Sequence, residues 1–125
     1  MVGERIAIFE DDPSILRMMT RILQEDEYIV ALKAVTMDEA ELVIQNLEDE
    51  DIRITIIDGN LSENNVSGKD GEYIARLIKE KYPNILTIGM SASPRGVEGV
   101  DVNIGKVAMH KSLVATIKEF LSSSE

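Results

Sequence analysis

The sequence predicts a doubly wound α/β domain built on a parallel sheet. Two observations predict it. Five short apolar runs rich in β-branched residues, "RIAIF", "YIVAL", "RITII", "ILTIGM" and "VDVNIG", are separated by amphipathic segments or, once, by a short polar link. The junctions between runs and segments also carry the residues that start and stop helices. Strict alternation of strand and helix implies parallel strands joined by right-handed crossovers.

Each element has its own justification. After the first run, Pro13 suits a first helical turn, and Ile15, Leu16, Met19, Ile22 and Leu23 fall on one helical face. After "YIVAL", the series Thr36-Met37-Asp38-Glu39 has capping-box spacing, and Ala40, Val43, Ile44 and Leu47 form the next apolar face. After "RITII", the polar connection "LSENNVSGKDG" leads to a face of Ile74, Leu77 and Ile78, and Pro83 forbids that helix from continuing. A connection of that length in a compact domain is commonly functional or mobile. After "ILTIGM", the link "SASPRGVEGVD" is too short and too rich in Pro and Gly for a full helix. The last face comprises Leu113, Val114, Ile117, Phe120 and Leu121, and the "SSSE" tail is expected to fray.

Composition bounds the function. A chain of 125 residues suits one domain, residues 1–125, with one core. Lys plus Arg number 13 against 23 Asp plus Glu, for a net charge of −10, which argues against nucleic acid as a partner. There is no cysteine, so disulfides and thiolate metal sites are excluded. No signal peptide or membrane-length apolar run is present, so no membrane partner is expected and the cytoplasm is the expected compartment.

The acids at the strand ends carry the chemistry. Glu10 and Asp11 close the first apolar run and Asp58 closes the third. In an open parallel sheet the functional crevice lies at the carboxyl ends of the strands, where strand order reverses. If these two strands are neighbours, three carboxylates meet at one rim. Two carboxylates about 5 Å apart repel by roughly 3 kcal/mol at an effective dielectric of 20. A hard cation offsets that, and Mg²⁺ in particular takes one or two carboxylates while leaving room for phosphate oxygens. Asp12 is expected to face away and serve the following helix. Ser91 follows the fourth run and Lys106 the fifth. A hydroxyl and an ammonium beside an acid cluster suggest phosphoryl chemistry with an Asp nucleophile. Taken singly, each of these is a common strand-end residue, and their conjunction is what carries the signal. His110, the only histidine, reads as an exposed residue before the last helix, and the six methionines read as core filler.

The stretches "RIAIFEDDPSIL", "ITIIDGNLS", "KDG", "TIGMSAS" and "GVDVNIGKV" resemble, in order and position, the response-regulator receiver domain of two-component signalling. The resemblance implies a five-stranded flavodoxin-like sheet of order 2-1-3-4-5. It implies Asp58 as phosphoacceptor, served by Ser91 and Lys106. It also implies a Mg²⁺ site of Glu10, Asp11, Asp58 and the backbone carbonyl of Asn60, with Asp11 a direct ligand. The partner it implies is a histidine kinase or phosphotransfer protein, and the output partner or output domain lies outside the sequence. Any catalysis would be confined to self-phosphorylation and self-dephosphorylation.

Departures from the family pattern are specific. The stretch Gly99 to Lys106 matches Gly-Ala-Asp-x-Tyr-x-x-Lys in length, but the aromatic position holds Asn103. Val107 stands where proline usually follows the lysine, and Ser62 where the family often has proline. The family's fourth helix is short or missing, the link being about seven residues too short, or about two turns. With no ring to rotate at position 103, any response is expected in the loop 61–69 and the link 93–99, since loops with few buried contacts reorganise cheaply. The alternative reading is a degenerate receiver, a protein-interaction module independent of phosphorylation. A phosphohydrolase is disfavoured by Asn60, where a second acid would stand, and a nucleotide-binding module by the lack of a Gly-rich loop after the first strand.

Overall fold

The computed structural model describes residues 3–58, 69–91, 96–105 and 109–123. The elements run β1 (Arg5–Phe9), α1 (Pro13–Glu25), β2 (Ile29–Ala34), α2 (Met37–Asn46), β3 (Ile54–Asp58), α3 (Lys69–Lys81), β4 (Leu86–Ser91), β5 (Val102–Gly105) and α4 (Met109–Ser123). The strands form one parallel sheet of order β2-β1-β3-β4-β5, as expected. Among the described residues, no helix lies between β4 and β5.

Period-two alternation divides the core between the two faces of the sheet. On one face Ile6, Ile8, Ile54, Ile56 and Ile88 pack with Leu16, Met19 and Leu23 of α1 and Leu113 and Ile117 of α4. On the other, Ala7, Phe9, Ala34 and Ile57 pack with Ala40, Val43 and Ile44 of α2 and Ile74, Ala75 and Ile78 of α3. β3 is buried along all five residues because it lies between β1 and β4 with helices on both faces. Its Thr55 satisfies its hydroxyl by donating to the Leu86 carbonyl oxygen at 3.1 Å.

The helix starts follow the sequence. Asp12 is the N-cap of α1, its Oδ1 accepting from the N–H of Ser14 at 2.8 Å and of Ile15 at 3.4 Å. Thr36 caps α2, its hydroxyl oxygen accepting from the Glu39 N–H at 3.2 Å. The return bond of this capping box reaches one residue further back, since Glu39 Oε1 accepts from the Val35 N–H at 2.8 Å. Some boundaries shift. β2 continues to Ala34, with an irregularity where Ile6 pairs Val30 and Ala7 pairs Leu32, so that Ala31 is the extra residue. The "KDG" of the third connection belongs to the first turn of α3, and His110 falls within α4.

Both α1 and α2 end by turning back through a residue with positive φ. Glu27 (φ 68°) and Asp51 (φ 56°) let Tyr28 and Ile52 donate to the Leu23 and Leu47 carbonyls, each at 3.0 Å. Glycine relieves the Cβ strain there at some entropic cost, so Glu27→Gly is expected to stabilise the fold by about 0.5 kcal/mol. Thermal melts of the two proteins check this, and a lowered midpoint would contradict it.

Candidate functional site

The reversal of strand order lies between β1 and β3, and the acids gather at their carboxyl ends. Phe9 closes β1 against Ala34 of β2 on one side and Ile57 of β3 on the other. Glu10 extends this pairing by one step, its N–H donating to the Ala34 carbonyl oxygen at 2.9 Å. Its side chain is fully buried, and Oε2 accepts from the Asp12 N–H at 3.2 Å, which fixes the turn from β1 into α1. Asp58 ends β3 and is 7% exposed. Glu10, Asp11 and Asp58 each present a carboxylate oxygen to one space, and these oxygens lie within 4.8 Å of one another. Asp12 does not join them, because its carboxylate is committed to the α1 cap.

The donor set suits a hard cation. Three carboxylate oxygens, two of them from buried residues, with no nitrogen or sulfur donor in the group, are what Mg²⁺ or another oxygen-seeking ion takes. The cost of crowding them points the same way, since each pair at that separation repels by about 3 kcal/mol at an effective dielectric of 20.

β4 supplies the next strand end. Met90 stands in register with Asp58, and Ser91 follows it at the rim, partly exposed and in register with Gly105 of β5. Lys106, Asn60, Val107, Ser62 and the loop 59–68 lie outside the described residues. The structure therefore brings together Glu10, Asp11 and Asp58, and sets Ser91 one step beyond the residue that pairs with Asp58.

The link into β5 departs from expectation in its described part. Val97 is 2% exposed and belongs to the core shared with α2 and α3. The side-chain amide of Asn103 grips it. Asn103 Oδ1 accepts from the Val97 N–H at 2.7 Å, and Nδ2 donates to the Val97 carbonyl oxygen at 3.2 Å. Two such bonds contribute about 0.5–1.5 kcal/mol each. Asp101 anchors the strand start, with its N–H donating to Thr87, its Oδ2 accepting from the Thr87 N–H at 3.0 Å, and an ion pair to Lys79 at 2.7 Å. Val97 and Asp101 are thus anchored, while Glu98 and Gly99 between them are exposed. Sequence reasoning missed Val97. The signal for it is a single valine between two glycines, Gly96 and Gly99, both with positive φ.

Asp11 and Asp12 give a crossed prediction. Asp11→Ala is expected to lower Mg²⁺ affinity at least about tenfold with little change in stability, since one of the three clustered carboxylates is lost while no cap is. Asp12→Ala is expected to leave Mg²⁺ affinity unchanged and cost about 1 kcal/mol through the lost N-cap. Calorimetric Mg²⁺ titration and denaturant melts of both variants check this, and equal affinity losses would contradict the division of labour.

Together these features define the class: a doubly wound parallel α/β protein with an acidic pocket at its topological switch point. No family model and no curated protein matches the chain. Solved structures do. A CheY-like response-regulator receiver domain protein from Methanospirillum hungatei is 25% identical, with 97% of this chain and 95% of that chain covered and a TM-score of 0.78. The signal receiver domain of an HD-domain-containing protein from Pseudomonas fluorescens is 16% identical, with 98% and 99% covered and a TM-score of 0.78. A CheX-CheY-BeF3-Mg complex from Borrelia burgdorferi contains a chain 18% identical, with 96% and 90% covered and a TM-score of 0.80. The chain has the CheY-like response-regulator receiver fold over nearly its whole length. That fold with an acidic pocket points to a phosphoacceptor role in signalling. Among the described residues, no helix is long and apolar enough to cross a membrane.

Proposed function

We propose that residues 1–125 act as one cytoplasmic receiver domain that accepts a phosphoryl group on Asp58 from the phosphohistidine of a kinase or phosphotransfer protein, with Mg²⁺ present. The observation that carries this reading is the convergence of Glu10, Asp11 and Asp58 within 4.8 Å at the switch point. The Borrelia burgdorferi neighbour, a complex that includes BeF3 and Mg, supports the same assignment.

Glu10, Asp11 and Asp58 would hold the cation, and the resemblance adds the backbone carbonyl of Asn60 as a further oxygen ligand. When bound, Mg²⁺ offsets the negative charge that otherwise repels a phosphate donor. An Asp58 carboxylate oxygen attacks phosphorus as the phosphorus–nitrogen bond of the donor breaks. The imidazole leaves with the electron pair and takes up a proton, and an aspartyl phosphate remains. Ser91 donates a hydrogen bond to a phosphoryl oxygen, and Lys106 supplies positive charge at the same group. The test is intact mass after incubation with acetyl phosphate. A phosphoryl increment is expected with Mg²⁺ and none with chelator, and no increment in either condition would overturn the reading.

A second reading is an interaction module that keeps the pocket without using phosphorylation. The observation that favours it is the Asn103 side chain, held by Val97 where the family pattern has an aromatic residue. The same mass measurement separates the two.

A further inference from the structure

The Asn103 amide reads as one more rung of the sheet. It offers a carbonyl and an N–H to the backbone N–H and carbonyl of a single residue, Val97, as a paired strand would. Three features of the sequence make room for it. Gly89, in register with Asn103 on β4, has no side chain, and a Cβ there would collide with Asn103 Oδ1 and come within 2.8 Å of Val97 Cβ. A Cβ at Gly96 would lie 2.6 Å from Asn103 Cγ. Gly96 also has φ 68°, the left-handed conformation that turns the chain so that Val97 faces the core. Asn103 itself is exposed on the edge strand, so its rotation away from Val97 would break both bonds together and open the Val97 backbone groups to water.

We propose that Asn103 is a fixed clamp that holds Val97, in the described part of the connection before β5, in one preset position, so that occupation of the Asp58 site leaves Val97 and β5 unchanged. The Asp58 site is thereby uncoupled from the surface formed by the link and β5, and its signal leaves by another route. This rests on the phosphoacceptor reading for what occupies the site, but the clamp itself is a property of Asn103, Val97, Gly89 and Gly96.

Amide hydrogen exchange at Val97, followed by NMR in the parent, Asn103→Ala and Asn103→Asp, tests it with and without beryllofluoride and Mg²⁺. The Ile56 amide serves as the internal reference for global stability. In the parent, Val97 exchange is expected to stay within about twofold on saturation with beryllofluoride, as a closed clamp requires. Asn103→Ala is expected to speed Val97 exchange at least about tenfold relative to Ile56, having lost the hydrogen bond acceptor of that amide. Asn103→Asp, which keeps the acceptor and loses the donor, is expected to lie between the two. If Asn103→Ala fails to fold, the Asp variant decides, and acceleration of Val97 relative to Ile56 is still required. An unchanged Val97 rate in the variants, or a parent rate that moves tenfold with beryllofluoride, overturns the proposal. Absence of a bound fluorine resonance in the parent sinks the phosphoacceptor reading and not the clamp, which the comparison of variants then decides alone.

Discussion

Asp58→Asn is expected to abolish phosphoryl uptake altogether. The substitution keeps the shape of the side chain and removes the nucleophile, because a neutral amide oxygen does not form an acyl phosphate under conditions in which a carboxylate does. It also removes one of the three carboxylates that share the pocket, so Mg²⁺ affinity should fall by about tenfold or more. Asp38→Asn, an exposed acid in the first turn of α2, is the control and should take up the phosphoryl group like the parent. Intact mass after acetyl phosphate treatment reads all three proteins. An undiminished increment in Asp58→Asn would move the acceptor elsewhere and dissolve the site assignment.

That prediction was within reach of the sequence only because two kinds of information agreed. The element order is local: apolar runs of period two, helical faces of period 3.6 and the caps Asp12 and Thr36 are each legible in a few residues. The convergence of Glu10 and Asp11 with Asp58 is not local. It requires β1 and β3 to be neighbours, and no pattern within either strand encodes its partner; the order came from the resemblance in motifs spread over the chain.

Other features were illegible because they are made by tertiary placement. The irregularity at Ala31 depends on how β2 pairs with β1, and beyond it β2 runs on to Ala34, whose carbonyl receives the Glu10 N–H. Asn103 was legible as a departure from the aromatic of the family pattern, but its partners, the backbone groups of Val97, were not. They reach it only because Gly96 turns the chain and Gly89 leaves space on the adjacent strand. The link looked loose because its composition is that of a loop. In its described part it is anchored because one valine enters the core.

Phe9, the last residue of β1, stands just before the acid cluster, and Phe9→Ala is expected to cost the fold about 3–5 kcal/mol, the usual range for truncating a buried aromatic. Phe9 is fully buried and, among the described residues, is the largest of the fully buried side chains. It belongs to the core between the sheet and the helices α2 and α3, and pairs in register with Ala34 and Ile57. Ala34 is too small to fill the space Phe9 would vacate, so a cavity must remain or the strand end must move. Glu10 follows Phe9 directly, and its backbone N–H is held by the Ala34 carbonyl, so movement there carries the carboxylate with it. Stability and cation binding should therefore fall together in Phe9→Ala, with Mg²⁺ affinity down severalfold even where the variant is fully folded. Phe9→Leu restores most of the volume and should recover much of both, losing about 1–1.5 kcal/mol. Urea melts read the first quantity and calorimetric Mg²⁺ titration below the unfolding transition reads the second. A folded Phe9→Ala protein that binds Mg²⁺ like the parent would show that Glu10 is positioned by its own turn and not by the core beneath it.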